Sequence, residues 1–155
     1  MHGKIINIYV YPEAGADAIA HSSVQIIAGP GIVGDRYYKN LGTFSKKITL
    51  IENQQITFIE SEFIDEFNQQ YNCQLTYSQL RRNVITHNVD LNSLVGKKFH
   101  FGNNEFKGIE LCEPCAYLAQ AVENKLLPAM VGKAGLRAQI LTDGKLTIDD
   151  HFKKY

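Results

Sequence analysis

Apolar and polar residues alternate near the start of the chain, and this period of two predicts a β-strand over residues 4–11. The alternation places Ile6, Ile8 and Val10 on one face of the strand and Ile5 on the other. Further short apolar segments, bounded by glycine, proline and other turn-forming residues, predict additional strands. These lie at or within residues 23–38, 46–51, 82–86, 97–101, 105–111 and 137–142.

The hydrophobic period changes after residue 51. Ile56, Ile59, Phe63 and Phe67 are spaced three or four positions apart, and acidic residues stand between them. A period of 3.6 residues is typical of a helix with one apolar face. The pattern therefore predicts a single amphipathic helix over residues 52–71, of about five turns.

Many short strands and few helices favour a mainly β fold. Because the helices do not alternate with the strands, a parallel βαβ sheet fits poorly, and we expect a small closed or partly closed β-barrel of mixed strands. One long helix and one or two short ones would accompany it, the short ones over residues 116–124 and 127–131. Hairpins are predicted at residues 101–106 and 141–146, the second with a type I′ turn at Asp143-Gly144.

Composition and charge narrow the range of functions. The 155 residues show no internal repeat or linker, so we expect one domain over residues 1–155. Sixteen basic and sixteen acidic residues cancel, and nucleic-acid binding is therefore not expected as the main role. No segment approaches the ~20 apolar residues that span a bilayer, and the start lacks a signal-peptide pattern. We expect a cytoplasmic protein without membrane association, whose three cysteines are reduced.

Cys112 and Cys115 stand in C-x-x-C spacing where a predicted strand ends, and the residues alone leave four interpretations open. The pair could supply half of a zinc site, although no second ligand pair is present. It could be a redox couple, although the βαβ setting of such couples is absent. Cys115 could be a single reactive thiolate near a helix N-terminus, where the partial positive charge lowers a thiol pKa. Both could equally be small core residues.

Two further segments carry candidate anion-binding residues. The first ends a glycine-rich loop, where backbone N–H groups and a fixed cation can approach an anion. The second begins a predicted strand, and a guanidinium fork there matches phosphate or carboxylate. The simpler interpretations are a tight capped turn in the first segment and solvated or ion-paired arginines in the second. The candidate residues are Gly34, Asp35, Arg36, Arg81, Arg82 and Asn83.

Taken in order, these segments resemble the MOSC domain, which is named after the C-terminal domain of molybdenum-cofactor sulfurases. The similarity runs from about residue 4 to residue 150. Its motifs are GIVGDRYY, RRNVIT, VDLNSLVGKKFHFG, LCEPC and GLRAQILTDGKLTIDD. One departure is Tyr37, which stands where the family usually has histidine. The chain is similar to stand-alone bacterial-type members, which lack the pyridoxal-phosphate-using half of the fused sulfurases.

The resemblance implies a β-barrel that handles sulfur for the molybdenum cofactor (molybdopterin) or binds that cofactor. It implies that Cys115 is the key thiol, either as a persulfide carrier or as a molybdenum ligand for the reduction of N-hydroxylated substrates. It also implies that an anionic pterin phosphate meets Gly34, Asp35, Arg36, Arg81, Arg82 and Asn83. A cysteine desulfurase or an electron-transfer protein would be the partner, and pyridoxal phosphate is expected on such a desulfurase rather than on this chain. The alternatives are a carrier module without turnover and a barrel whose cysteines are simply buried.

Overall fold

Strands dominate the computed structural model of this chain, which describes residues 2–13, 15–38, 55–113 and 131–154. The strands are β1 (Lys4–Val10), β2 (Ile19–His21), β3 (Ser23–Ile27), β4 (Gly31–Ile32), β5 (Ile56–Glu60), β6 (Val84–His87), β7 (Lys98–Phe101), β8 (Asn104–Leu111), β9 (Leu136–Ile140), β10 (Gly144–Thr147) and β11 (Phe152–Lys154). The helices are α1 (Ser61–Tyr71) and the 3₁₀ helices Tyr77–Leu80 and Leu91–Leu94. The predicted strand over 46–51, the predicted short helix over 116–124 and all but the last residue of the predicted short helix over 127–131 lie outside the described residues.

One large sheet contains eight strands in the order β11-β7-β8-β9-β5-β6-β1-β2, and a second sheet contains β10, β3 and β4. β5 and β6 run parallel, whereas the other strand pairs of the described residues are antiparallel. The large sheet curls into a half-barrel. The predicted mainly β, partly closed barrel of mixed strands is therefore confirmed.

Four phenylalanines lie in the main hydrophobic core, on one face of the large sheet. Phe58, Phe99, Phe101 and Phe106 have no exposed surface. The Phe58 ring packs edge-on against the Phe106 ring at 5.4 Å and stacks on the Phe101 ring at 5.5 Å. Such offset and edge-to-face pairs are the favoured aromatic geometries. Burial of these rings joins the middle of the sheet, at β5, to its β7–β8 end.

Helix α1 covers the opposite face of the sheet at β5 and β6. Its Ile64 and Phe67 pack with Ile59 and Ile85 in a second core cluster. The helix ends at Asn72, whose left-handed backbone lets its N–H bond back to the helix. No helix in the described part of the chain is long and apolar enough to cross a membrane.

The single helix predicted over residues 52–71 is wrong in its first half, because Ile56–Glu60 is strand β5 and the helix begins at Ser61. β5 is a central strand with Ile56 and Phe58 in the main core and Ile59 beneath α1. A strand buried on both faces reads as a continuous apolar run, which cannot be told from a helix by its period.

The alternation predicted for β1 is also shifted at one point. Ile5, Ile8 and Val10 lie in the main core, and Ile6 packs in the second cluster beneath α1. The pairing of β1 with β6 changes register between Ile5 and Asn7. A bulge of this kind moves the side chains before it to the opposite face.

Of the two predicted hairpins, the first is confirmed and the second is wrong. β7 and β8 pair across the turn at Gly102, which has a positive φ of 59°. β10 pairs with β3 and not with β9, so the segment at Asp143 connects the two sheets. The Asp143 carboxylate accepts a hydrogen bond from the Ala28 N–H at 2.8 Å, and neither Asp143 nor Gly144 has the positive φ of a type I′ turn.

Candidate functional site

The two predicted arginine segments meet at the end of β1. The Arg36 N–H donates to the carbonyl of Tyr11, the residue that follows β1, at 2.8 Å. The Tyr9 N–H donates to the carbonyl of Asn83 at 2.7 Å. Segments that are far apart in the sequence therefore meet in one site at the end of β1, around Tyr9 and Tyr11.

Asp35 is the buried anchor of this site and has no exposed surface. Its carboxylate accepts hydrogen bonds from the Tyr11 N–H at 3.1 Å, the Asn83 Nδ2 at 3.2 Å and the Tyr37 N–H at 3.4 Å. The Arg36 guanidinium lies 3.8 Å away. Burial raises the pKa of Asp35, whereas these N–H donors and the arginine favour its charged form. One carboxylate thus ties together β1, the loop after β4 and the segment before β6.

Asn83 uses its side-chain amide within the protein. Its Oδ1 accepts from the N–H and the hydroxyl of Thr57, both at 3.1 Å. Its Nδ2 donates to the Tyr9 carbonyl at 3.2 Å as well as to Asp35. Because both ends of the amide are engaged, we interpret Asn83 and Asp35 as supports for the neighbouring arginines. Direct contact of either residue with a cofactor stays a prediction.

Tyr11 lies at the centre of the site and was missed by sequence reasoning. Its hydroxyl donates to the Ser78 carbonyl at 2.8 Å, with the Arg82 carbonyl at 3.3 Å. The guanidinium carbons of Arg81 and Arg36 lie 4.5 and 5.1 Å from its ring centre, within the range of a cation–π contact. Burial raises the pKa of this hydroxyl, although the charges of all three arginines act in the opposite direction. A tyrosine after an alternating strand carries no sequence signal of such a role.

Arg81 fastens a neighbouring loop. It has a left-handed backbone with φ of 60° and ends the 3₁₀ helix Tyr77–Leu80. Its Nη1 donates to the Ala16 carbonyl at 2.6 Å, and its Nη2 to the Glu13 carbonyl at 3.5 Å. The prediction that the arginines begin a strand is wrong, since β6 starts only at Val84.

Arg36 and Arg82 are buried, with 7% of each exposed, and within the described residues the side chain of each donates one hydrogen bond. The Nε of Arg82 donates to the Ala134 carbonyl at 2.8 Å, and the Nη2 of Arg36 donates to the Tyr37 hydroxyl at 3.4 Å. The Nη1 of Arg36 is buried without a hydrogen-bond acceptor among the described residues. An unsatisfied buried donor costs about 1–3 kcal/mol, and more when it is charged. The arrangement is therefore suited to an added anion.

The cysteine segment approaches the same site through one short connection. Cys115, the predicted catalytic and metal-binding thiol, lies outside the described residues. Cys112 is 1% exposed, and its N–H donates to the Gly135 carbonyl at 2.8 Å. The preceding carbonyl, that of Ala134, accepts from Arg82. No group of three metal-binding side chains lies together in the described part of the chain.

Comparison with solved structures shows the same fold in three bacterial proteins. The YuaD protein from Bacillus subtilis superposes with a TM-score of 0.80 at 17% identity, covering 98% of this chain and 94% of that one. YiiM from Geobacillus stearothermophilus gives 0.72 at 14% identity, covering 99% and 75%. YiiM from Escherichia coli gives 0.68 at 13% identity, covering 100% and 70%.

Family comparison agrees with the fold. No curated protein matches the chain. The family model of the MOSC domain matches residues 45–153, which is well over half of the sequence and includes the second arginine segment and both cysteines of the C-x-x-C pair. The chain therefore belongs to the MOSC domain family.

Proposed function

We propose that this protein binds the molybdenum cofactor, with which the MOSC family is associated, through its arginine cluster and the Cys115 thiol. The arginine cluster is Arg36, Arg81 and Arg82. The observation that carries the proposal is the buried Nη1 of Arg36, which has no acceptor among the described residues. Such a donor gains free energy when an anion reaches it.

The residues of the cluster fit the phosphate end of a pterin cofactor. Arg36 and Arg82 are held in place before any ligand arrives, the first by contacts with Tyr11 and Tyr37 and the second by the Ala134 carbonyl. A planar guanidinium with free N–H groups is the preferred partner of a phosphate. Asp35 offsets only part of this positive charge. Arg36 and Arg82 would therefore hold the phosphate.

Cys115 would supply the metal end of the site. Cys112 and Arg82 donate hydrogen bonds to adjacent carbonyls, those of Gly135 and Ala134, so Cys112, three positions before Cys115, lies close to the arginine cluster. Thiolate is a soft ligand that suits molybdenum, and it can also carry sulfur as a persulfide. The cofactor, when bound, supplies two-electron redox chemistry, as in the reduction of N-hydroxylated substrates.

Cofactor retention tests the arginine part of the proposal. Gently purified protein should contain molybdenum by elemental analysis, and reconstitution with the cofactor should raise that content. Arg36→Met and Arg82→Met should each weaken retention about 10- to 100-fold, since a charged hydrogen bond contributes about 1.5–3 kcal/mol. Arg137→Met is the matched control, because Arg137 is the one arginine outside the cluster and lies near Glu110 on the neighbouring strand. Equal retention by all three variants would contradict the proposal.

Turnover and mass spectrometry test the cysteine part. Reconstituted protein with a chemical reductant should reduce an amidoxime, and Cys115→Ser should abolish this activity while the fold, followed by circular dichroism, is kept. Cofactor binding without turnover would identify a carrier module instead. A mass increase of one sulfur atom, lost in Cys115→Ser, would identify a persulfide carrier. Full activity of the serine variant would exclude the thiol from the mechanism.

A further inference from the structure

Five exposed lysines lie at the β11 end of the large sheet. None of them belongs to the segments that form the arginine cluster. They lie just before β7, on β7, on β8 and on β11. We call this the lysine surface, and its members are Lys97, Lys98, Lys107, Lys153 and Lys154. The chain as a whole has no net charge, so a cluster of one sign must be offset elsewhere.

The strand register places Lys98, Lys107 and Lys153 on one face of the sheet, and Lys154, opposite Phe99, on the other face. Lys98 lies directly opposite Lys107 on the neighbouring strand. Like charges in such cross-strand positions are destabilising. On the same two strands, Glu105 lies opposite His100 and contacts its imidazole at 3.8 Å.

A depression lies among three of these lysines. It has a volume of about 390 Å³ and is lined by Lys97, Lys98 and Lys154 together with Leu94, which is fully buried. Val95, which follows Leu94 in the sequence, is 41% exposed. Charged residues beside an exposed apolar side chain are typical of the rim of a protein–protein interface.

A group of five carboxylates lies on another part of the molecule. Helix α1 carries Glu62, Asp65 and Glu66, and Glu62 and Asp90 stand beside Glu60. This helix covers β5 and β6, whereas the lysine surface lies on β7, β8 and β11. Separated charges of this kind orient an approaching charged partner before contact.

We propose that the lysine surface is the docking site of a partner protein with an acidic face. Two observations favour a protein over a nucleic acid. The aromatic side chains of β7, Phe99 and Phe101, are fully buried and offer no surface for base stacking. Arginine is the side chain that most often recognises nucleic acids, and Arg36 and Arg81 lie elsewhere, beside the Tyr11 ring. This inference stands apart from the proposed cofactor function, because it uses none of the same residues.

Binding to poly-L-glutamate, used as an acidic polypeptide probe, tests the proposal. The double variant Lys97→Gln/Lys154→Gln should bind the probe about tenfold more weakly than the unmodified protein. The matched control is Lys133→Gln/Lys145→Gln, which removes the same charge from other surfaces and should bind as the unmodified protein does. Amide resonances of residues 94–98 and 152–154 should shift on addition of the probe. The binding should weaken as salt rises through ~0.1 M, where the Debye length is about 10 Å.

Two results would overturn the proposal. Equal weakening in both double variants would show that only net charge matters. Tighter binding to a DNA duplex, or to vesicles of phosphatidylcholine and phosphatidylserine, than to poly-L-glutamate would assign the surface to a nucleic acid or a membrane. Both measurements use protein without added cofactor, so they are independent of the outcome at Cys115.

Discussion

The arginine cluster and the lysine surface are both positively charged, but the fold uses them differently. Arg36 and Arg82 are 7% exposed and contact carbonyls, a carboxylate or aromatic rings. The five lysines are exposed, and two of them face each other across a strand pair. A guanidinium is planar and weakly hydrated and can be both stacked and hydrogen-bonded, whereas an ammonium is a strongly hydrated point charge. Arg36 and Arg82 therefore contribute to the packing of the folded structure, whereas the lysines are exposed to solvent.

This difference decides how variants in the two regions must be interpreted. A change in the arginine cluster alters buried hydrogen bonds, so lost binding there has to be separated from lost stability. A change in the lysine surface leaves the core intact and reports on charge alone. The comparison predicts large stability effects in the first region and small ones in the second.

The largest effect is expected when the buried anchor of the arginine cluster is removed. Asp35→Ala removes the acceptor that the Tyr11 N–H and the Asn83 Nδ2 share, and it removes the ion-pair partner of the Arg36 guanidinium. Breaking a buried charge pair in this way costs about 3–5 kcal/mol of unfolding free energy. Urea denaturation followed by circular dichroism would measure it.

Asp35→Asn is the control for this change, because the amide keeps one acceptor oxygen, although it removes the charge and replaces the other oxygen with an NH2 donor. It should lose less stability than Asp35→Ala. If Asp35→Ala lowers the unfolding free energy by less than about 1 kcal/mol, Asp35 does not anchor the arginine cluster. The cluster would then contribute as little to stability as the lysine surface.

Tyr11 tests the centre of the cluster on a smaller scale. Tyr11→Phe keeps the ring beneath Arg36 and Arg81 and removes the hydroxyl that donates to the Ser78 carbonyl. The loss of this hydrogen bond should lower the unfolding free energy by about 1 kcal/mol.

Anion affinity provides the second measurement on Tyr11→Phe. Inorganic phosphate should bind this variant as it binds the unmodified protein, because the ring contacts remain, and Tyr11→Leu should bind it more weakly. Tyr9→Phe, two positions earlier and on β1, is the matched control and should change stability by less than about 0.5 kcal/mol. Weaker phosphate binding by Tyr11→Phe would show that the hydroxyl, and not the ring, positions the arginines.

The segments of the arginine cluster can be predicted from the sequence more accurately than the strands that position them. The glycine-rich loop at Asp35 and Arg36 and the segment at Arg81–Asn83 were singled out from residue chemistry, and the structure places both beside Tyr11. Hairpin β7–β8 was also predicted, since its turn is local. Interactions between neighbours in sequence leave a pattern that can be read from the residues.

The features that were missed depend on distant partners. Strand β5 was predicted as helix, because burial of one face in the main core and of the other beneath α1 removes the alternation that marks a strand. The pairing of β10 with β3 joins residues more than a hundred positions apart, and no turn residue encodes it. The role of Tyr11 arises only when three separate segments meet at its ring and hydroxyl.

Glu60 is partly buried, so its exposure is intermediate between that of the buried arginines and that of the exposed lysines. Its carboxyl should make the unfolding free energy depend on pH. Burial, reinforced by Glu62 and Asp90, raises the pKa of this carboxyl to about 7, although the Leu91 N–H bond favours the charged form. The folded protein therefore holds a proton that the unfolded chain releases near its ordinary pKa of about 4.5. Because the folded state binds more protons in this window, the unfolding free energy should fall as pH rises from about 4.5 to about 7.

The expected size of this effect is about 1 kcal/mol, since the carboxyl is partly exposed and water screens it. Urea denaturation across the pH range would measure the slope. Glu60→Gln should flatten it, whereas Glu110→Gln, which changes an exposed carboxyl on β8, should keep it. An unchanged slope in Glu60→Gln would assign the pH dependence to other groups, with buried Asp35 the first to test.

The smallest change in unfolding free energy is expected on the lysine surface, where a substitution should stabilise the protein instead of destabilising it. Lys107→Gln removes one of two like charges that face each other across β7 and β8, so it should raise the unfolding free energy by about 0.2–0.5 kcal/mol. The gain should shrink at high salt, where the repulsion is screened. Lys153→Gln, opposite His100, is the control and should give no gain. A loss of stability in Lys107→Gln would mean that this lysine supports the sheet, and the contrast with the buried arginines would then be one of exposure rather than of structural role.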